Sequence, residues 1–193
     1  MLRNATGIVA FFFYRTSVDV IILMSMNKLI VLSGVPGSGK SYISLLLKEK
    51  KKSHLYVVSS DQLRTLVGGS QTNLTNEKLV WQMYYELANV YAMDKKGIVV
   101  LDSTNAKTEF RIDNVRQFKD KFDEIDLIIF KLNKVTVMAQ NLDRAFPIPN
   151  DALERLINEF EDITDKDREF FDNIYVVDKH DLSPIIEKIV KMD

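Results

Sequence analysis

A lysine and a serine close the glycine-rich stretch Gly34-Val35-Pro36-Gly37-Ser38-Gly39-Lys40-Ser41, which fits G-x-x-x-x-G-K-[ST] at every required position. Each requirement has a physical cause. Gly34, Gly37 and Gly39 allow a tight turn, so that the backbone, with Pro36 and Ser38, can aim successive N–H groups at phosphate oxygens. Lys40 adds a point charge that reaches the β- and γ-phosphates, and Ser41 adds a hydroxyl ligand suited to Mg²⁺. A helix starting here points its positive dipole end at the same phosphates. The chemistry is the binding of a nucleoside triphosphate with Mg²⁺.

Three further polar clusters follow. Ser59-Ser60-Asp61-Gln62-Leu63-Arg64 contains a carboxylate that can accept the proton of a hydroxyl, and an arginine one helical turn later that can hold an anion bidentately. Asp102-Ser103-Thr104-Asn105 offers a carboxylate that either holds Mg²⁺ through water or orients an arginine. Arg144 lies in a segment, 144–150, broken by Pro147 and Pro149, from which it can close over a nucleotide and offset charge on a moving phosphoryl group. Singly, Asp61 and Asp102 read equally well as caps or turn residues. Together the clusters supply what phosphoryl transfer needs, which is mostly positioning and charge neutralisation.

The elements that must hold these residues can be read from the apolar pattern. Branched apolar runs at 28–33, 54–59, 97–102, 126–132 and 173–178 predict strands. Helical patterns lie between them, at 42–50, 107–122, 135–142 and 185–190. Another starts at Thr75 or Asn76 and carries Leu79, Val80, Met83, Tyr84, Leu87, Val90 and Tyr91 as one apolar stripe, with Trp81 outside it as a rim contact. Asp151 caps one more, whose face is Leu153, Leu156, Ile157 and Phe160. Alternating strands and helices predict an α/β fold of the P-loop NTPase class. It has a mostly parallel sheet of about five strands, helices on both faces and a small lid. Ligands of such sheets sit beyond the carboxyl ends of the strands, where all four clusters fall.

Composition sets the bounds. The 193 residues fit one domain with a sizeable core, and 26 basic against 27 acidic residues give no global signature for coating nucleic acid. With no cysteine there is no disulfide, thiolate metal site or cysteine nucleophile. Residues 1–26 stand apart as an extension with two apolar runs, interrupted by Arg15, Thr16, Ser17 and Asp19 and too short to span a bilayer. A start at Met24 or Met26 is the simplest account of the extension. The kinase domain is then 27–193, in the cytoplasm with no membrane partner. The sequence sets no oligomeric state.

In their order, Gly34-x-Pro36-Gly37-Ser38-Gly39-Lys40-Ser41, Asp61-x-x-Arg64, Asp102-x-Thr104-Asn105 and Asn141-x-x-Arg144 resemble the kinase domain of bacteriophage-type 5′-hydroxyl polynucleotide kinases. They also resemble the wider group of zeta-toxin-like and tRNA-modifying kinases. The resemblance runs over 26–160. It implies that Lys40 and Ser41 serve the phosphates and metal, Asp61 activates the hydroxyl, Arg64 grips the acceptor and Arg144 is the lid arginine. It implies ATP as donor and the 5′-hydroxyl of a nucleic acid as acceptor. The acids after the lid, Glu159, Glu161, Asp162, Asp165, Asp167 and Glu169, depart from a basic polymer site and keep a small-molecule or nucleotide-sugar acceptor open. An ATPase module without kinase activity is the third reading. Asn133-Lys134-Val135-Thr136 lacks the carboxylate that reads guanine, which argues against a guanine-nucleotide switch.

Overall fold

The computed structural model describes residues 26–178 and 181–190, so the extension, apart from Met26, lies outside them. Five strands, β1 (Lys28–Ser33), β2 (Leu55–Ser59), β3 (Ile98–Asp102), β4 (Glu124–Phe130) and β5 (Asn173–Val177), form one sheet in the order β2-β3-β1-β4-β5. Every neighbouring pair is parallel. The apolar runs explain this: each central strand is buried on both faces, and its alternate residues feed two cores. Leu29 and Val31 point to one core; Ile30 and Leu32 point to the other.

The eight helices among the described residues are α1 (Lys40–Lys50), α2 (Ser60–Gly68), α3 (Glu77–Tyr91), α4 (Thr108–Arg116), α5 (Lys134–Leu142), α6 (Asn150–Asn158), α7 (Asp165–Phe170) and α8 (Ser183–Val190). Leu63 of α2, Val80, Tyr84 and Ala88 of α3, and Val115 of α4 cover one face. Ile43 and Leu47 of α1 with Ile186 and Ile189 of α8 cover the other. α5 and α6 enclose a smaller apolar cluster around Val137 and Leu153, and the segment 143–149 between them is the lid.

Several boundaries differ from the sequence expectation. β4 lies two residues earlier than 126–132, and α4 stops at Arg116 because the chain turns at 117–121, where Phe118 and Phe122 still pack into the core. α6 begins at Asn150 with Pro149 as its N-cap residue, so Asp151 sits inside its first turn rather than capping it. The α3 stripe is narrower than its apolar residues suggest. Leu79 and Val90 are exposed, while Trp81 packs on the core, edge-on to Tyr84.

Candidate active site

The glycine loop joins β1 to α1. Gly37 and Gly39 have φ of 82° and 95°, in the left-handed region that glycine enters without strain. A Cβ at Gly37 would also lie 2.9 Å from the Val137 carbonyl oxygen and 3.2 Å from the Asn141 nitrogen. Gly37 therefore lets the loop lie directly against α5. Gly39 precedes α1 without a side-chain cap, leaving the helix N-terminus open towards the cleft. The Ser38 hydroxyl is buried with no hydrogen-bond partner, as expected of a group set to meet a ligand oxygen. Lys40 Nζ folds back and donates to the carbonyl oxygens of Gly34 (2.6 Å) and Val35 (3.0 Å). Burial lowers its pKa to about 8, against the pull of Asp102 and Asp61.

Asp102 ends β3 beside the loop, and its Oδ2 accepts a 2.9 Å hydrogen bond from Ser41 Oγ. Burial raises its pKa, opposed by Lys40 and the Ser41 bond. A hydroxyl and a carboxylate so close are hard oxygen donors of the kind Mg²⁺ takes. The other members of that cluster are scaffold. The Thr104 carbonyl oxygen accepts from Gly34 N (2.9 Å). Asn105, at φ 43°, donates to the Leu32 carbonyl and accepts from Asn114, tying the end of β3 to the end of β1.

Asp61 lies in the first turn of α2, which Ser59 caps by accepting from Gln62 N. Its Oδ1 accepts from Arg64 Nη1 at 2.8 Å, and its Oδ2 is 3.6 Å from Arg144 Nη2 in the lid. The loop, Asp61, Arg64, Asp102 and Arg144 line one cleft of about 1180 Å³ at the carboxyl ends of the strands. The five candidate catalytic residues, Lys40, Asp61, Arg64, Asp102 and Arg144, thus share one cavity. Asn141 holds the base of the lid: wholly buried, it donates to the Ile148 carbonyl oxygen (2.8 Å) and accepts from Ile148 N (3.0 Å).

Two features were not visible in the sequence. Glu77, at the start of α3, takes Arg64 Nε on Oε1 (2.6 Å) and Nη2 on Oε2 (3.0 Å), so the fork expected to meet an acceptor anion is engaged within the chain. Three of the acids after the lid are committed elsewhere. Asp167 and Arg111 form a fully buried bidentate pair, Glu161 accepts from Thr108 N, and Asp162 pairs with Lys131. None of them lines the cleft.

A parallel sheet in this order, with a glycine loop after β1 and a lid over the strand ends, defines a P-loop nucleotide-binding domain of the kinase-like kind. The chain belongs to the AAA_33 family, an AAA domain, which matches residues 29–163. Its fold is similar to that of Chaetomium thermophilum Kti12, solved with ADP-AlF3, at a TM-score of 0.63 and 19% identity, covering 84% of this chain and 95% of that one. It is also similar to a chain of the Pnkp1/Rnl/Hen1 RNA repair complex (TM-score 0.60, 22% identity), covering 76% of this chain and 47% of that one. A gluconokinase from Sinorhizobium meliloti 1021 matches at 0.52 and 20%, covering 86% and 88%. At these identities the likeness is one of fold.

Proposed function

We propose that this chain is an ATP-dependent kinase of the cytosol that transfers the γ-phosphate to a hydroxyl acceptor, the 5′-hydroxyl end of a nucleic acid. The carrying observation is the arrangement of Asp61 across one cleft from Lys40, Ser41 and Asp102, with the lid's Arg144 reaching Asp61. Ser41 and Asp102 are the residues that would hold Mg²⁺, which when bound would neutralise charge on the phosphates. The loop N–H groups and Lys40 bind the phosphates and orient the γ-phosphoryl group. The acceptor oxygen bonds to the γ-phosphorus as its proton passes to Asp61, the bond to the β–γ bridging oxygen breaks, and ADP leaves with that electron pair. Arg144 offsets charge on the group in transit.

The order of the four motifs supports the nucleic-acid acceptor, as does the engagement of Glu161, Asp162 and Asp167 with α4 and Lys131 rather than with the cleft. Phe146 in the lid and Leu74 before α3 are exposed apolar groups lining the cleft, suited to the face of a base. One observation favours the second reading, a small uncharged acceptor such as a sugar: Glu77 already occupies the Arg64 fork. Transfer of labelled γ-phosphate to 5′-hydroxyl DNA and RNA, tRNA, neutral sugars, gluconate and sugar nucleotides separates the cases. Labelled nucleic-acid 5′ ends support the first reading, and labelled sugars alone support the second. Steady ATP hydrolysis with no acceptor labelled overturns the kinase reading.

A further inference from the structure

Arg64 makes four polar contacts within the chain, and they engage all three of its side-chain nitrogens. Nε and Nη2 go to the two oxygens of Glu77, while Nη1 reaches Asp61 Oδ1 and, at 3.4 Å, Ser60 Oγ. The Arg64 side chain is 13% exposed and Glu77 32%, so the pair is shielded far better than a surface ion pair. Glu77 is itself fixed: Trp81 Nε1, one turn along α3, donates to Oε2 at 3.1 Å. The Arg64 bond holds the Glu77 carboxyl below its usual range. A planar guanidinium presents two edges that match a carboxylate or a phosphate, Nε/Nη2 and Nη1/Nη2; here Glu77 fills the first, and Asp61 and Ser60 take Nη1 of the second.

Resting on the phosphotransferase reading, we propose that Glu77 is a positioning and specificity-determining residue. It fills the Nε/Nη2 fork of Arg64, turns the Nη1 side to Asp61, and so makes the acceptor site one that draws no affinity from a phosphate beside the hydroxyl, a nucleic-acid 5′ end being held by its base rather than by its 3′-phosphate. Glu77 touches neither substrate nor reacting atoms; it acts through Arg64. The negative charge of Glu77 does the same work at longer range, since an acceptor phosphate entering here meets a guanidinium already neutralised. Removing that charge converts Arg64 from a support for Asp61 into a phosphate receptor.

The test is equilibrium binding by calorimetry of adenosine and adenosine 3′-phosphate, with the donor site filled by a non-hydrolysable ATP analogue so that the glycine loop cannot take the probe's phosphate. Glu77→Gln keeps the shape of the side chain and an oxygen for Trp81, while Glu77→Ala opens the fork completely. The wild-type chain binds the two probes within about twofold of each other. In both Glu77 variants the ratio moves towards the 3′-phosphate by about tenfold or more, as one freed bidentate contact to phosphate provides. Adding Arg64→Ala to Glu77→Gln removes that gain. A Glu77 that merely tethers α2 to α3 would weaken both probes by one factor and leave the ratio unchanged. An unchanged ratio, no binding of either probe to the Glu77 variants, or a wild-type chain already favouring the phosphate tenfold overturns the proposal. The binding ratio does not depend on turnover, so failure of the kinase reading is registered separately by the γ-phosphate panel.

Discussion

Burial holds the Lys40 ammonium at about 8, although Asp102 and Asp61 pull it up, and a ligand bearing phosphates must reverse that balance. In the free protein at pH 8 about half the Lys40 side chains are neutral. Bound phosphates favour the charged form, so binding takes up a proton from solution in the alkaline range. Affinity for ATP is then constant well below pH 8 and falls above it, by up to about tenfold per pH unit. Calorimetry at pH 8.5 in two buffers of different ionisation enthalpy measures the uptake directly. Equal apparent enthalpies in the two buffers would remove Lys40 from phosphate contact, and Lys40→Met abolishes both uptake and tight binding. Arg144 calls for a different readout. Its ion pair with Asp61 spans the cleft at 3.6 Å, so Arg144→Ala lowers kcat by about 100-fold while the Kd for ATP moves less than about threefold, if it acts on the group in transit. A loss confined to affinity would make it a binding residue instead. Asp61→Asn removes the proton acceptor and loses acceptor phosphorylation with the melting temperature preserved.

The lid is fixed at its base by one side chain. Asn141 meets both the N–H and the carbonyl of Ile148, and its own backbone N lies against Gly37 of the phosphate loop, so the last turn of α5 couples lid to loop. Asn141→Ala strands both Ile148 groups, at a cost of about 1–3 kcal/mol that falls on this segment. Limited proteolysis should then cut within 143–149 several-fold faster, with the sheet intact by circular dichroism; an unchanged cleavage rate would mean that packing alone holds the lid. The sequence carried the sheet, the loop and Asp61, Asp102 and Arg144 because each announces itself locally, through an apolar run or a motif. It hid what depends on packing. In the sequence α2 shows only as a polar cluster, because Ser59 to Gln62 contains no apolar residue, although the Ser59 cap is a helix signal. α7, with sequence DKDREF, has almost no apolar period and shows itself only through the Thr164–Asp167 capping box. Glu77 stands 13 residues from Arg64 and meets it only because α2 packs on α3, so no local pattern marks it. Leu79 and Val90 gave the opposite error, apolar residues at helical spacing that face outward.

At the scale of the whole molecule, buried charge lies at both ends of the strands. The carboxyl ends carry the cleft. At the amino ends Lys28 is buried against Glu124 (3.1 Å) and Asp126 (3.2 Å), and Asn173 donates to both carboxylates. Joining β1, β4 and β5 through polar groups suits an edge where the apolar cores stop, and breaking one partner of such a cluster is costly because the others stay buried. The cluster has a pH signature. Burial raises the Asp126 carboxyl from 3.8 to about 6, opposed by the bonds from Asn173 and Lys28. The folded chain therefore binds a proton at Asp126 more tightly than the unfolded chain does. That contribution to stability is complete below the unfolded value near 3.8 and is lost as pH rises through about 6. Urea unfolding at fixed ionic strength should show the Asp126 contribution as a negative slope of ΔG against pH between about 4 and 6. Asp126→Asn, which cannot titrate, should have a less negative slope over the same window and should come nearest to the wild-type stability below about pH 4, where Asp126 is itself neutral. ATP binding, measured in parallel at pH 7, should be unchanged, because the substitution lies at the edge of the sheet remote from the glycine loop. Equal slopes in the two proteins would mean that Asp126 stays ionised across the window.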